Sequence, residues 1–388
     1  MRAQRSGIVD REATGRRAAR RRPGTWNRLV VAGLLAVAMA GACAPSATHP
    51  SATLPGTVAA AGRSVPVAPV GGRATGLSEA RTVSFALDRI DQRDLPLDHT
   101  YRHFGTGRTV EVYVFDGGIL EGHPELAGRV RRGFDAFPGE QRLCNAHGTA
   151  VAGAIGGRTL GVAPGVQLVD VKMVECRRMR GSIDAIVRAT DWVIADHAAH
   201  PARRAVANWS FIADTAADVP ALDAAVQRLR AAGIPVVVSA GNVELDACQI
   251  SPANAPGTIV VGASRLRPLG ESLGAVTDAR AAHTAFGACI DVFAPGDGVL
   301  LPGMDVDGEP ISQLWTGTSM SAGYVSGAVA LYLEANPAAT VDDVQRHIAV
   351  SSERTAVDAR SPRAGMLYVG TDGAGAAATG GVRSLTRR

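Results

Sequence analysis

Three short motifs carry the groups that acyl transfer requires. Asp116-Gly117-Gly118 ends an apolar run, His147-Gly148-Thr149 opens a helical stretch, and Gly317-Thr318-Ser319-Met320-Ser321-Ala322-Gly323 leads into a long apolar helix. A serine hydroxyl becomes an effective nucleophile when an imidazole within hydrogen-bond reach takes its proton. The imidazole in turn needs a carboxylate to hold its tautomer and stabilise the imidazolium. Asp116, His147 and Ser319 offer that set, with Ser319 at a helix start where developing negative charge is favoured. The oxyanion of a tetrahedral intermediate also needs donors. Ser239-Ala240-Gly241-Asn242, closing an apolar strand, supplies the Asn242 amide beside the Ser319 backbone N–H. Taken singly, the three motifs are an Asp-Gly turn, a solvated histidine and a capped helix start. Only their combination points to chemistry.

The segments between them predict how these groups are held. Short apolar runs at Val110 to Phe115, Val166 to Val174, Ala205 to Phe211, Ile234 to Ala240, Thr258 to Ala263 and Ile290 to Ala294 read as strands. Ala150 to Ile155, Ser182 to Ala199, Pro220 to Ala232, Ser319 to Ala335 and Val341 to Val350 read as helices. Strands that are apolar throughout and alternate with helices imply an α/β fold, a three-layer arrangement with a mostly parallel sheet between helices. In such sheets working residues gather at the carboxyl ends of the strands. A nucleotide-binding reading of Gly153-Ala154-Ile155-Gly156-Gly157 fails, because those glycines lie inside or after a helix.

The 388 residues are 46% hydrophobic and carry a formal charge of +4. Nine arginines against Asp10 and Glu12 give residues 1–28 a balance of +7, which leaves −3 for residues 29–388. The charge therefore belongs to a leader and implies no nucleic-acid partner. The run Leu29 to Ala40, followed by Gly41-Ala42-Cys43, completes a signal peptide over 1–42, so the chain is expected to be secreted. Cys43 has two readings. Ala40-Gly41-Ala42-Cys43 resembles a bacterial lipobox, which would lipidate the cysteine, and cleavage after Ala38-Met39-Ala40 is the rival. Residues 43–84 read as linker or short pro-segment, 85–370 as one catalytic domain that is monomeric, and 371–388 as a disordered tail.

The motifs together resemble the subtilisin-like serine peptidases, in particular the proteinase K-like branch. The resemblance runs from Leu87-Asp88-Arg89-Ile90-Asp91-Gln92-Arg93 through Asn145-Ala146-His147-Gly148-Thr149, Ser251-Pro252-Ala253 and Phe293-Ala294-Pro295-Gly296 to the Ser319 motif. It implies a secreted endopeptidase acting on proteins or peptides. In that reading Asp116 orients, His147 is base and acid, Ser319 attacks, Asn242 holds the oxyanion, and Ser210, Phe211, Ile212, Ala240 and Gly241 line the substrate cleft. The same resemblance pairs Cys144 with Cys176 and Cys248 with Cys289, where sequence alone leaves three pairings open. It also implies a structural calcium ion held by Asp291 and the carbonyls of Pro256 and Thr258, and a cis peptide at Ser251-Pro252.

The departures concentrate at the cleft. The family's Asp-Thr-Gly is Asp116-Gly117-Gly118. Its Ser-Leu-Gly-Gly is Ser210-Phe211-Ile212-Ala213, which puts a β-branched side chain where a glycine lets the peptide approach. The opposite edge is the cationic Arg177-Arg178-Met179-Arg180. These changes predict a narrowed cleft, with a secreted pseudopeptidase acting as a binding module as the alternative.

Overall fold

The computed structural model describes residues 77–213, 219–269, 275–352 and 357–370, all within one compact unit. The expected signal peptide, Cys43, most of the expected linker and the tail lie outside the described residues. In chain order the elements are β1 (Leu77–Arg81), α1 (Phe85–Ile90), β2 (Thr100–Phe104), β3 (Val110–Asp116), β4 (Val130–Asp135), α2 (His147–Gly156) and β5 (Gln167–Lys172). Two short strands, β6 (Val174–Glu175) and β7 (Arg180–Gly181), precede α3 (Ile183–Ala199), β8 (Arg204–Trp209), α4 (Pro220–Ala231) and β9 (Val236–Ser239). The chain continues through β10 (Ile259–Pro268), β11 (Val276–Arg280), β12 (Val292–Pro295), β13 (Val299–Met304), β14 (Pro310–Trp315), α5 (Thr318–Ala335), α6 (Val341–Ser352) and β15 (Gly365–Met366).

The main sheet runs β15-β12-β10-β9-β8-β3-β5-β4, parallel at every pairing, with β11 added antiparallel to β10. Central strands such as β3 and β9 are buried on both faces, which is why they read as unbroken apolar runs. One core packs α2 and α5 against one face, with Val151, Ile155, Val325 and Val329 meeting Val112, Val206 and Val261. The other packs α3 and α4 against the opposite face through Ile186, Val193, Leu222 and Val226. The strand order reverses beside β3, with β5 on one side and β8 on the other. Crevices at such reversals, outside the carboxyl ends of the strands, are where ligands bind in open α/β sheets.

Helix α5 crosses α2 closely because glycine stands at the contact. A Cβ on Gly323 would lie 2.8 Å from the Ala154 Cβ, and one on Gly327 would lie 2.7 Å from the Ile155 carbonyl oxygen. Ser182 caps α3 by accepting from the Ala185 amide, and Pro220 occupies the first turn of α4, as their positions predict.

Several elements depart from the sequence reading. Leu77–Arg81, inside the stretch read as linker, pairs antiparallel with β2. All five of its residues are exposed, so no apolar signal marks it. The run Val166 to Val174 divides into β5 and β6. β4 was not predicted because Arg131, Arg132 and Asp135 interrupt its apolar pattern at the sheet edge. The β13–β14 hairpin also escaped, its second strand being mostly exposed. Ser251-Pro252 is cis, as is Leu95-Pro96. Among the described residues, no helix is long and apolar enough to cross a membrane.

Candidate active site

The groups identified from sequence meet at the carboxyl ends of β3, β8 and β9 and the starts of α2 and α5. Asp116, the last residue of β3, is buried. Its Oδ1 accepts from the Gly117 amide at 2.7 Å, and its Oδ2 lies 2.8 Å from His147 Nδ1. His147 begins α2, and its backbone N–H donates to Asn145 Oδ1 at 2.9 Å. A Cβ on Gly148 would fall 2.4 Å from the Gly118 carbonyl and 3.0 Å from the Asp116 Cβ, so glycine is what lets the helix start approach the carboxylate. Burial pulls the His147 imidazole down, but the charge and hydrogen bond of Asp116 together outweigh it, and the net displacement is upward from 6.5.

Ser319 lies in the first turn of α5 and is 6% exposed. Its hydroxyl donates to the Ser210 carbonyl at 3.3 Å, and no hydrogen bond joins it to His147 among the described residues. Catalytic hydrogen bonds of this kind commonly tighten only once substrate is in place. The Ser210 hydroxyl accepts from Asn208 Nδ2 at 2.8 Å and donates to the Ser319 carbonyl at 3.3 Å. Asn242 is turned with equal definiteness. Its Oδ1 accepts from the Thr318 amide at 2.8 Å and from the Thr318 hydroxyl at 3.0 Å, which leaves the Nδ2 donors for the cleft. Gly317 lacks a side chain where a Cβ would stand 3.2 Å from Asn242 Nδ2.

The expected wall residues lie on two segments that follow neighbouring strands. Ser210, Phe211 and Ile212 continue from β8, and Ala240 and Gly241 follow β9. Ile212 is 37% exposed, and its Cγ2 lies 3.3 Å from where a Gly241 Cβ would be. A cavity of about 470 Å³ adjoins this segment, lined by Met173, Met179, Ile186, Phe211, Ile212 and Leu222. The cationic rim is partly offset by acids: Arg178 pairs with Glu175 at 3.1 Å, and Arg177 stands 3.8 Å from Glu140. Sequence reasoning missed Trp315. Its ring stands edge-on to His147 with centroids 6.4 Å apart, and its only sequence signal is its place two residues before Gly317.

Both expected disulfides are formed. Cys144–Cys176 ties the segment before His147 to the residue after β6, and Cys248–Cys289 joins two loops on the β10 side. The calcium candidates present an oxygen-only donor set. Asp291 Oδ2 accepts from the Val260 amide at 2.8 Å, while the Pro256 and Thr258 carbonyls accept from Gln227 and Gln345 side-chain amides at 2.6 and 3.2 Å. A carbonyl keeps a second lone pair, and a glutamine amide can turn its own oxygen inward, so the set fits a hard cation. Burial pushes the Asp291 carboxyl up to about 6, and charge from a bound ion would reverse that. A second group, Glu111, Asp196 and His200, brings its ligand atoms within 4.8 Å of one another. There Arg131 binds Asp196 at 2.5 Å and stands 3.6 Å from Glu111, so the chain supplies the positive charge itself.

The subtilase family model matches residues 107–367. The chain belongs to the subtilase family. This subtilase is 41% identical over 263 residues to the extracellular serine proteinase of Thermus sp. (strain Rt41A), a match covering 67% of this chain and 59% of that one. It is 37% identical over 291 residues to alkaline serine exoprotease A of Vibrio alginolyticus, covering 74% and 50%. The chain thus spans half to three fifths of these relatives. A crystal structure of a cold adapted subtilisin-like serine proteinase superposes with a TM-score of 0.65 at 32% identity, covering 76% of this chain and all of that one. The three-layer α/β architecture is therefore subtilisin-like. Subtilases commonly bind structural calcium.

Proposed function

We propose that this subtilase is an exported serine endopeptidase that cleaves protein or peptide substrates through an acyl-enzyme. The observation that carries the reading is the 2.8 Å contact between Asp116 and His147 at the strand ends where Ser319 and Asn242 also gather. His147 Nε2 takes the Ser319 proton as Oγ attacks the scissile carbonyl carbon. Asn242 Nδ2 and the Ser319 backbone N–H hold the resulting oxyanion. His147 then protonates the leaving amine, and water activated by the same imidazole releases the acid. Asp116 keeps the Nδ1 proton in place throughout. Digestion of casein by the exported chain, with products read by mass spectrometry, tests the activity. Intact casein after incubation with folded, processed protein would contradict it.

The serine proteinases that this chain resembles favour the peptidase reading over the binding-module alternative. The 470 Å³ cavity against Phe211 and Ile212 suits an apolar side chain, while Ile212 restricts the slot beside Gly241. Ile212→Gly is expected to raise kcat/KM about 10-fold for peptides with a bulky aromatic residue before the scissile bond, leaving small-residue substrates nearly unchanged. A peptide library read against both proteins checks this, and an unchanged preference would count against the restriction.

Asp291, Pro256 and Thr258 would hold calcium as a structural ion, supplying positive charge to a buried carboxylate. With a folded pKa of about 6 against 3.8, Asp291 binds more protons folded than unfolded between those values. Without a cation its contribution therefore falls as pH rises through that window. The melting temperature is expected to rise with added calcium over chelator, more at pH 8 than at pH 5, and Asp291→Asn should abolish the difference. Equal melting curves with and without calcium would exclude the site.

A further inference from the structure

Beside the Asp116–His147 couple lies a partly buried ionic network that the catalytic steps leave unused. Asp170 on β5 is fully buried and pairs in register with Val114 on β3, two residues before Asp116. Residues two apart on a strand share a face, so Asp170 and Asp116 lie on the same side of the sheet. The Asp170 carboxylate accepts from Arg142 Nε at 3.0 Å, and its carbonyl accepts from Arg142 Nη2 at 3.1 Å. The Ile119 amide, just after the turn that follows Asp116, also faces this carboxylate. Arg142 reaches Asp135 on β4 at 3.4 Å, and Asp135 meets the buried Lys172 Nζ at 3.3 Å.

Arg142 belongs to the segment that leads into His147, and its backbone packs on the turn that carries Asp116. Gly118 has φ +108°, and a Cβ there would lie 2.2 Å from the Arg142 carbonyl oxygen. Two residues on, the Cys144 amide donates to the Gly117 carbonyl at 2.8 Å. One guanidinium thus anchors the His147 segment to β4 and β5, while its own backbone braces the Asp116 turn. Stability alone gives little reason for such a pair, because desolvating two charges costs about what their attraction returns. The neighbouring β5 positions Leu168, Val169 and Val171 are apolar and fully buried.

We propose that the Arg142–Asp170 pair is the positioning device for the Asp116–His147 couple, fixing the two loops that carry them and setting the charge behind the imidazole. The proposal rests on the peptidase reading above. The charged groups facing the pair are Asp116 from β3, Asp135 from β4 and Lys172 from β5, with His147 beyond Asp116. Burial pushes the Asp170 carboxyl up to about 6, so above that pH its negative charge favours the imidazolium form of His147, and neutralising it lowers the pH at which His147 becomes an effective base.

The test is steady-state kinetics across pH on the full chain, with active enzyme counted by fluorophosphonate titration. Asp170→Asn keeps the size and one acceptor oxygen. It is expected to move the acid limb of kcat/KM down by about half a pH unit, the order expected for one charge removed at a partly buried site. Arg142→Gln is expected to lower kcat about 10-fold with KM within about twofold, and Arg142→Lys should recover part of the loss. An acid limb that stays in place in Asp170→Asn overturns the proposal, as does an unchanged kcat in Arg142→Gln despite a lower melting temperature. Failure of the unsubstituted chain to take the label would instead remove the peptidase reading beneath it.

Discussion

Ser319→Ala is expected to abolish fluorophosphonate labelling and to cut kcat by about 10⁶-fold, the loss measured for the corresponding serine in subtilisin, a relative. The substitution removes one oxygen atom from a buried helix start, so fold and melting temperature should change little. The Ser210 carbonyl loses only a 3.3 Å hydrogen bond. Residual hydrolysis by the variant should reflect binding and the two oxyanion donors, Asn242 Nδ2 and the backbone N–H at position 319, because those groups remain. Equal labelling of Ser319→Ala and the unsubstituted chain would place the nucleophile elsewhere.

Asp116→Asn is the second large effect. Asparagine keeps the shape but presents an amide in place of a charge, so the Nδ1 proton of His147 loses its acceptor and the wrong tautomer faces Ser319. The expected fall in kcat is about 10⁴-fold, as in other triads. The pH profile should change with it. In the unsubstituted chain Asp116 outweighs burial and holds His147 above 6.5, so kcat/KM should fall as pH drops through a value above 6.5. With the charge of Asp116 gone, burial is no longer outweighed by that carboxylate, and the acid limb should move to lower pH. A variant with a reduced rate but an unmoved limb would show that Asp116 does not set the imidazole's charge.

The same linkage has a stability face. A histidine whose folded pKa is raised contributes stability that is complete below the unfolded value and is lost as pH rises through the folded one. Both variants that affect the negative charge near His147, Asp116→Asn and Asp170→Asn, should therefore be compared on the plateau above each protein's own acid limb, where the imidazole has lost its proton. Differences in kcat that persist there arise from tautomer and geometry.

Much of the candidate site was legible because functional groups are properties of residue type. Asp116 closes a buried strand, His147 and Ser319 lie at helix starts, Asn242 follows β9, and buried parallel strands appear as continuous apolar runs. Strands without that burial were not legible. β1 exposes every side chain, β4 carries Arg131 and Arg132, and β14 leaves Leu314 71% exposed. Their stability comes from pairing with a neighbour, and pairing leaves no period in the chain.

The sequence by itself determined the chemistry available, the order Asp, His, Ser and the parallel sheet that brings strand ends together. Only the tertiary structure decided which acceptor the Ser319 hydroxyl uses, that Trp315 stands against His147, that glutamates face the Arg177–Arg178 edge, and that Arg142 meets Asp170. Each of these is a distance between side chains brought together by chain crossovers, 28 residues apart for Arg142 and Asp170. Residue identity specifies what a group can do, whereas a contact of 3 Å depends on every strand register and helix crossing between the two partners.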